Sequence, residues 1–237
     1  MKRLVYIVAI DWELAEESIK TWKYWCKQNN CDFYVYSEHT DQNMAPHWHR
    51  YLIFDKKPNY DQYLYVDADA MVRWDMPNPF DSYNDLAKMY VTKDFGSLEW
   101  ISNSIEGYKK FFPDITIDWE DYFATGVLLF SKKHQKLFKS FISFFNENRD
   151  EINNMQYNTL RKGFDQTPFN YFVQQSKIPL GYLSLKYSLG HLIKKDILHN
   201  GMFMNLGWIW QFNGIPKQQL HTLMSNIWNH IKDMYKD

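Results

Sequence analysis

Three runs of almost unbroken apolar residues, at 4–10, 63–66 and 124–130, constrain this chain more than any other feature. Strands covered on both faces read this way, whereas half-exposed strands alternate. Between the first two runs the period changes. Ile19, Trp22 and Cys26 recur at helical spacing within residues 13–28, and Asn29-Asn30 closes that segment. Residues 32–37 predict a second strand, and residues 38–47, with Pro46, a polar loop. Residues 48–54 predict a short helix, broken by Lys56-Lys57-Pro58-Asn59. A β-α-β-α-β order predicts a parallel sheet with right-handed crossovers. The expected fold class is therefore α/β, with a Rossmann-like, mostly parallel central sheet and helices on both faces. A length of 237 residues suits a single domain.

The run at 63–66 ends in Asp67-Ala68-Asp69. Ligands of open α/β sheets bind beyond the carboxyl ends of strands. Continued extension places residues 67 and 69 on one side of the backbone, so both carboxylates reach one point. That is a half-shell for a hard divalent cation, which completes its coordination with water and phosphate. A plain turn after a strand accounts for the same residues, because Asp is common in turns. Local sequence leaves both readings open.

Downstream, Pro77 and Pro79 mark the exit from this stretch. Residues 89–91 predict a strand, 97–112 an amphipathic helix and 113–122 an acidic loop. The run at 124–130 contains Gly126, which lets another group approach the backbone closely. Residues 132–148 predict a helix carrying Leu137, Phe138, Phe141, Ile142 and Phe145, and 150–165 show no clear period. Asp165-Gln166-Thr167-Pro168 predicts a helix through residue 175, with Asp165 as its cap and proline in the first turn. Residues 180–187 and 206–212 predict strands. Residues 216–235 predict a helix with Leu220, Leu223, Ile227, Ile231 and Met234 on one stripe, which docks on the domain rather than on a membrane. No repeat, low-complexity tract or linker interrupts the chain.

Composition narrows the function. Lys plus Arg number 27 against 28 Asp plus Glu, a net charge of −1, which argues against a nucleic-acid partner. Aromatics make up 19% of the residues, enough to fill a core and to line a sugar cleft. Cys26 and Cys31 lack metal or redox spacing and are too few for a disulfide scaffold, so a reduced cytoplasmic compartment is expected. The apolar start meets Asp11, Glu13, Glu16 and Glu17 without a cleavage site, and reads as a strand rather than a leader. No run approaches the ~18 apolar residues of a transmembrane segment, so a soluble protein is expected.

Several stretches together resemble nucleotide-sugar glycosyltransferases of the GT-A fold, in particular the glycogenin and galactosyltransferase-like group. Arg50 and Tyr51 precede an apolar strand ending in Asp67-Ala68-Asp69. Ala124-Thr125-Gly126-Val127-Leu128-Leu129 is similar to that group's next strand signature, and Asp165, Gln166 and Asn170 to its Asp-Gln helix start. Gln211-Phe212-Asn213-Gly214-Ile215-Pro216-Lys217 resembles its His-Phe-x-Gly-x-x-Lys segment, with Gln211 where the group has a metal-binding histidine. Thr125 departs from the asparagine that the group often has. The chain is short beside the group it resembles, with little room for an elaborate acceptor domain.

The resemblance implies transfer of a hexose from a UDP-sugar to an acceptor, either a glycan, a lipid-linked sugar or a protein, with retained anomeric configuration. It implies Mn²⁺ or Mg²⁺ held by Asp67, Asp69 and Gln211, with His199 and His221 as other candidates for the third ligand. It implies donor contacts from Ala9, Asp11, Trp12, Arg50, Asp67, Ala68, Gly126, Gly214 and Lys217, and places Asp165 and Gln166 at the reacting carbon. Residues 1–95 would form the nucleotide-binding half, and 96–237 the acceptor and sugar half. An inverting enzyme would need a carboxylate base, for which Asp118, Glu120, Asp121 and Asp165 are available.

Other functions compete. Haloacid-dehalogenase-like phosphatases also place Asp-x-Asp after an apolar strand, but on their first strand and followed by Gly-Thr rather than Ala70-Met71. Sugar nucleotidyltransferases carry a Gly-rich loop after the first strand, and Val8-Ala9-Ile10-Asp11-Trp12 has no glycine. A non-catalytic sugar- or nucleotide-binding protein would not need the Asp pair.

Overall fold

The computed structural model describes residues 1–190 and 201–236. Among these, eight strands follow in chain order: β1 Arg3–Val8, β2 Asp32–Tyr36, β3 Gln62–Val66, β4 Ala70–Val72, β5 Met89–Lys93, β6 Phe123–Ser131, β7 Leu180–Tyr182 and β8 Ile209–Gln211. Six form one sheet in the order β2-β1-β3-β6-β5-β7, and β4 pairs with β8 in a separate ribbon. β1 is parallel to β2 and β3, as the order of its elements requires. The helix Glu16–Gln28 makes the first crossover, and the short helices Pro46–Leu52 and Ile53–Lys56, where one was expected at 48–54, make the second.

Apolar runs became strands because both faces of this sheet are covered. Tyr63 and Tyr65 of β3, with Tyr6, Leu128 and Phe130 of its neighbours, face one cluster. Leu64, Val66, Val5, Ile7, Val127 and Leu129 face another, together with Trp22 and Trp25. On the first side Trp48 stacks on Phe145 at 4.2 Å and on Phe141 at 5.1 Å, from the helix Gln135–Glu147. Each such ring adds about 1.5–3 kcal/mol of burial, and this is where much of the aromatic content goes.

The structure departs from expectation or adds to it in four places. β6 runs antiparallel to both β3 and β5. Residues 94–122 leave the end of β5 and return to the same end, where Asp94 N donates to Tyr122 O and Lys93 pairs with Phe123. Such an excursion yields an antiparallel neighbour, whereas a crossover to the far end would yield a parallel one. The strand expected at 180–187 stops at Tyr182 and becomes the turn Leu185–Tyr187, while that at 206–212 shrinks to Ile209–Gln211 behind Gly207. Asp67 and Asp69 are not in extended backbone. Ala70 N donates to Asp67 O at 3.1 Å, so the pair stands in a tight turn between β3 and β4. Finally, the C-terminal helix Lys217–Ile231 docks on the β4–β8 ribbon through Leu220, Met224, Ile227 and Ile231 against Met71, Trp210 and Phe212. Met224 takes a core place on this stripe, and Met234 lies beyond it, exposed.

Candidate functional site

Because β6 is antiparallel, its first residues stand beside the carboxyl ends of β3 and β5. A cavity of about 920 Å³ opens there, at the upper end of the size range of ligand sites. Asp67, Asp94, Thr125, Gly126, Asp165, Gln166 and Gln211 meet on its walls. β8 brings Gln211 there by pairing it with Ala70.

Arg50 ties these elements together. Its Nη1 donates to Thr125 O at 2.8 Å and lies 3.2 Å from Asp67 Oδ1, and its Nε donates to His47 O at 2.8 Å and lies 3.4 Å from Asp165 Oδ2. The guanidinium also covers the Tyr65 ring at 4.6 Å. Burial opposes its charge, but the carboxylates of Asp165 and Asp67 outweigh this and raise its pKa further above the ordinary value. Two tyrosines complete the arrangement. Tyr65 Oη donates to Asp67 Oδ1 at 2.6 Å and Tyr51 Oη to Asp165 Oδ2 at 2.7 Å, and burial pushes both phenols up, so they remain donors.

The second oxygen of Asp67 accepts from Gln211 Nε2 at 2.8 Å, while Ser188 Oγ donates to Gln211 Oε1 at 3.1 Å. This pair lies over Gly126, where a Cβ would collide with the Gln211 amide and stand 2.7 Å from Asp67 Oδ2. Gln166 is held at both ends: its Nε2 donates to Asp94 Oδ2 at 2.7 Å, and its Oε1 accepts from Thr125 N at 3.3 Å. Asn170 bonds both backbone groups of Phe123, fixing the helix Gln166–Gln175 to the start of β6. Asp165 precedes that helix but makes no side-chain cap bond, so its carboxylate faces Arg50 and Tyr51 instead.

Of the residues singled out from the sequence, Arg50, Asp67, Gly126, Asp165, Gln166, Gln211 and Gly214 line the cavity. Ala9, Asp11, Trp12, Ala68, Asp69 and Lys217 do not. Asp69 is half-buried in the turn, and its carbonyl accepts from Phe212 N at 3.1 Å. Asp11, in a left-handed conformation, pairs with His39 at 2.6 Å, and the Lys217 ammonium lies 5.4 Å from the Trp12 ring centre. His221 is exposed on the C-terminal helix, and His199 lies outside the described residues. The inverting-base candidates Asp118, Glu120 and Asp121 are also off the walls. Sequence reasoning missed His47, Asp94, Ser188 and Asn213, all of which line the cavity.

Among the described residues no group of three or more His, Cys, Asp or Glu is placed to hold a metal. What the cavity offers is the Asp67 carboxylate and the Gln211 amide, which meet at 2.8 Å over Gly126, whose missing side chain leaves the amide its place. A half-turn of the amide presents its oxygen instead. The Ser188 hydroxyl, able to donate or accept, satisfies the amide either way. These are hard oxygen donors, and they fit Mg²⁺ or Mn²⁺ shared with a phosphate-bearing ligand.

Comparison with known proteins bears on the fold and the family. No curated protein matches the chain in sequence. A glycosyltransferase involved in the glycosylation of the major capsid of PBCV-1 superposes with a TM-score of 0.62 at 14% identity, covering 95% of this chain and 100% of that one. The glycosyltransferase GlyE of Streptococcus pneumoniae TIGR4 superposes at 0.56 and 14% identity, over 98% of this chain and 63% of its own. The galactosyltransferase LgtC, solved with donor and acceptor sugar analogs, gives 0.51 and 14% identity over 96% of this chain and 99% of its own. These likenesses establish a GT-A fold. The sequence profile of glycosyl transferase family 8 matches residues 11–198, well over half the chain, and the chain belongs to that family.

Proposed function

We propose that this glycosyltransferase moves a hexose from a UDP-sugar to an acceptor with retention of configuration, using Mn²⁺ or Mg²⁺ bound together with the diphosphate. The observation that carries the reading is Arg50 joining Asp67 and Asp165 across a single cavity. Asp67 and Gln211, with Asp69 behind them in the turn, would hold the cation, which neutralises the charge that develops on the leaving diphosphate. Ala9, Asp11, Trp12 and Ala68 would receive the nucleoside at the end of β1. Gly214, at φ 71°, shapes the backbone just before Lys217, whose ammonium would add positive charge beside the diphosphate. Asp165 orients Arg50, and Gln166 presents a fixed amide toward the reacting carbon.

Retention is favoured by how the cavity's carboxylates are used. Asp67 accepts from Tyr65 and Gln211, Asp165 from Tyr51, and Asp94 from Gly96 N at 2.8 Å and from Gln166. Their oxygens already accept hydrogen bonds from the protein, which leaves them poorly disposed to take up an incoming hydroxyl as well. The same engagement of Asp67 argues against its use as a phosphatase nucleophile. A cytoplasmic location is proposed from the two free thiols, of which burial pushes Cys31 up to about 11. Among the described residues no helix is long and apolar enough to cross a membrane.

A panel of nucleotide sugars, assayed for nucleotide release with and without Mn²⁺ and with water as acceptor, tests the reading. Metal-dependent UDP release from a UDP-hexose is expected. Release of orthophosphate from phosphate monoesters with no nucleotide-sugar turnover would support the phosphatase instead, and binding without turnover would leave a non-catalytic binder.

A further inference from the structure

Resting on the glycosyl-transfer reading, we propose that His47 reads a hydroxyl of the sugar held against Asp165, accepting its hydrogen bond at Nδ1. His47 lines the cavity beside Phe164 and Asp165, and no role is assigned to it by the reading above.

A buried chain of hydrogen bonds sets its tautomer. Tyr108 Oη donates to Phe164 O at 3.0 Å, so its proton is committed and its lone pair receives Gln156 Nε2 at 3.2 Å. The oxygen of Gln156 must then face the other way. There it meets Trp48 Nε1, which can only donate, and His47 Nε2, each at 3.4 Å. An amide oxygen cannot donate, so the proton between Gln156 and His47 belongs to Nε2. Burial disfavours a second proton and holds the imidazole below its ordinary value of 6.5, despite the nearby carboxylates of Asp165 and Asp67 and with Arg50 acting in the same direction as burial. Nδ1 therefore carries a lone pair at neutral pH. Among the described residues, the side-chain hydrogen bond of His47 is the one from Nε2 to Gln156, which leaves Nδ1 for a ligand.

A lone pair beside a carboxylate selects its ligand. Phosphate oxygens have no proton to offer and are repelled by Asp165, whereas a sugar hydroxyl donates to Nδ1 and stays free to accept elsewhere. The facing wall is fixed as well. Gly163 and Phe164 hold left-handed conformations, at φ 76° and 36°, and the Tyr108 bond secures the Phe164 carbonyl. One chain of bonds thus sets both the tautomer of His47 and the loop that bears Asp165.

The test measures kcat/KM for UDP release from UDP-glucose and UDP-galactose, and from the 2-, 3-, 4- and 6-deoxy forms of the better donor. Wild type, His47→Ala and His47→Gln are compared, with ¹⁵N NMR of the His47 ring. The expected result is one deoxy donor that loses about 10-fold in wild type, the worth of one good hydrogen bond to a ligand. On the parent donor His47→Ala loses a similar factor, and it loses nothing more on that one analogue. His47→Gln, which can accept through its amide oxygen, recovers part of the loss, and the ring shows the Nε2–H tautomer. Equal losses on every analogue, or an Nδ1–H tautomer, would overturn this role while leaving the enzyme a UDP-sugar transferase. No release by wild type from either UDP-hexose would overturn the parent reading, and this role with it.

Discussion

Arg50 serves four acceptors at once: two backbone carbonyls and two carboxylates drawn from distant parts of the chain. Removing it leaves Asp165, 4% exposed, with a buried charge and no cation. Arg50→Met is expected to cost about 3–5 kcal/mol in urea unfolding, as broken buried pairs do, and to abolish nucleotide release. Arg50→Lys keeps the charge but cannot span both carboxylates, so it should recover most of the stability and little of the turnover. Wild-type stability in the Met variant would mean that the pairing is incidental. Asp67 and Asp165 could be singled out in the sequence because each stands at the edge of a recognisable element, and Arg50 through the family resemblance. His47 could not. It falls in a stretch that reads as a polar loop, and its partner Gln156 is 109 residues away, on a π-helical turn with no sequence period.

At the scale of elements, the site depends on the helix Gln166–Gln175 being fixed to the start of β6. Asn170 does this with bonds to both backbone groups of Phe123, at 3.0 and 2.9 Å, while 1% exposed. Asn170→Ala leaves buried polar groups unpaired and should cost about 1–3 kcal/mol. Gln166 and Thr125 then lose their common frame, so nucleotide release should fall further than stability alone explains. A variant that unfolds earlier but turns over normally when folded would confine Asn170 to a structural role. Most elements were legible because burial on both faces makes strands apolar and one-sided burial gives helices their stripe. The turn holding Asp67 and Asp69 was legible only as one of two readings, since its backbone is set by the pairing of β4 with β8, a contact that no local pattern records. The reversed direction of β6 was hidden for a similar reason. It depends on where a 29-residue excursion ends, which the bond from Asp94 N to Tyr122 O and the pairing of Lys93 with Phe123 disclose.

At the scale of the whole molecule, three histidines among the described residues shape the response to acid. Burial lowers His47, His49 and His134 below 6.5 in the folded state. Unfolded, they take up protons as the pH drops through that value, so the unfolded state binds more protons and stability decreases. Their contribution is complete above pH ~6.5 and is lost progressively below it. The Tm should be level from pH 8 to 7 and fall between 6.5 and 5, before most carboxylates titrate. A level profile down to pH 5 would contradict this. The β4–β8 ribbon has a consequence of another kind, in the order of synthesis. Asp67 meets Gln211 only after 144 further residues have been made. β1, β3 and β6 are all complete by residue 131, so an emerging chain can carry its central sheet long before it carries its site. Closing a loop of that length costs about 4 kcal/mol in chain entropy. The ribbon and the C-terminal helix that covers it must offset that cost together, so the polypeptide stays without a finished site until its last segment folds back.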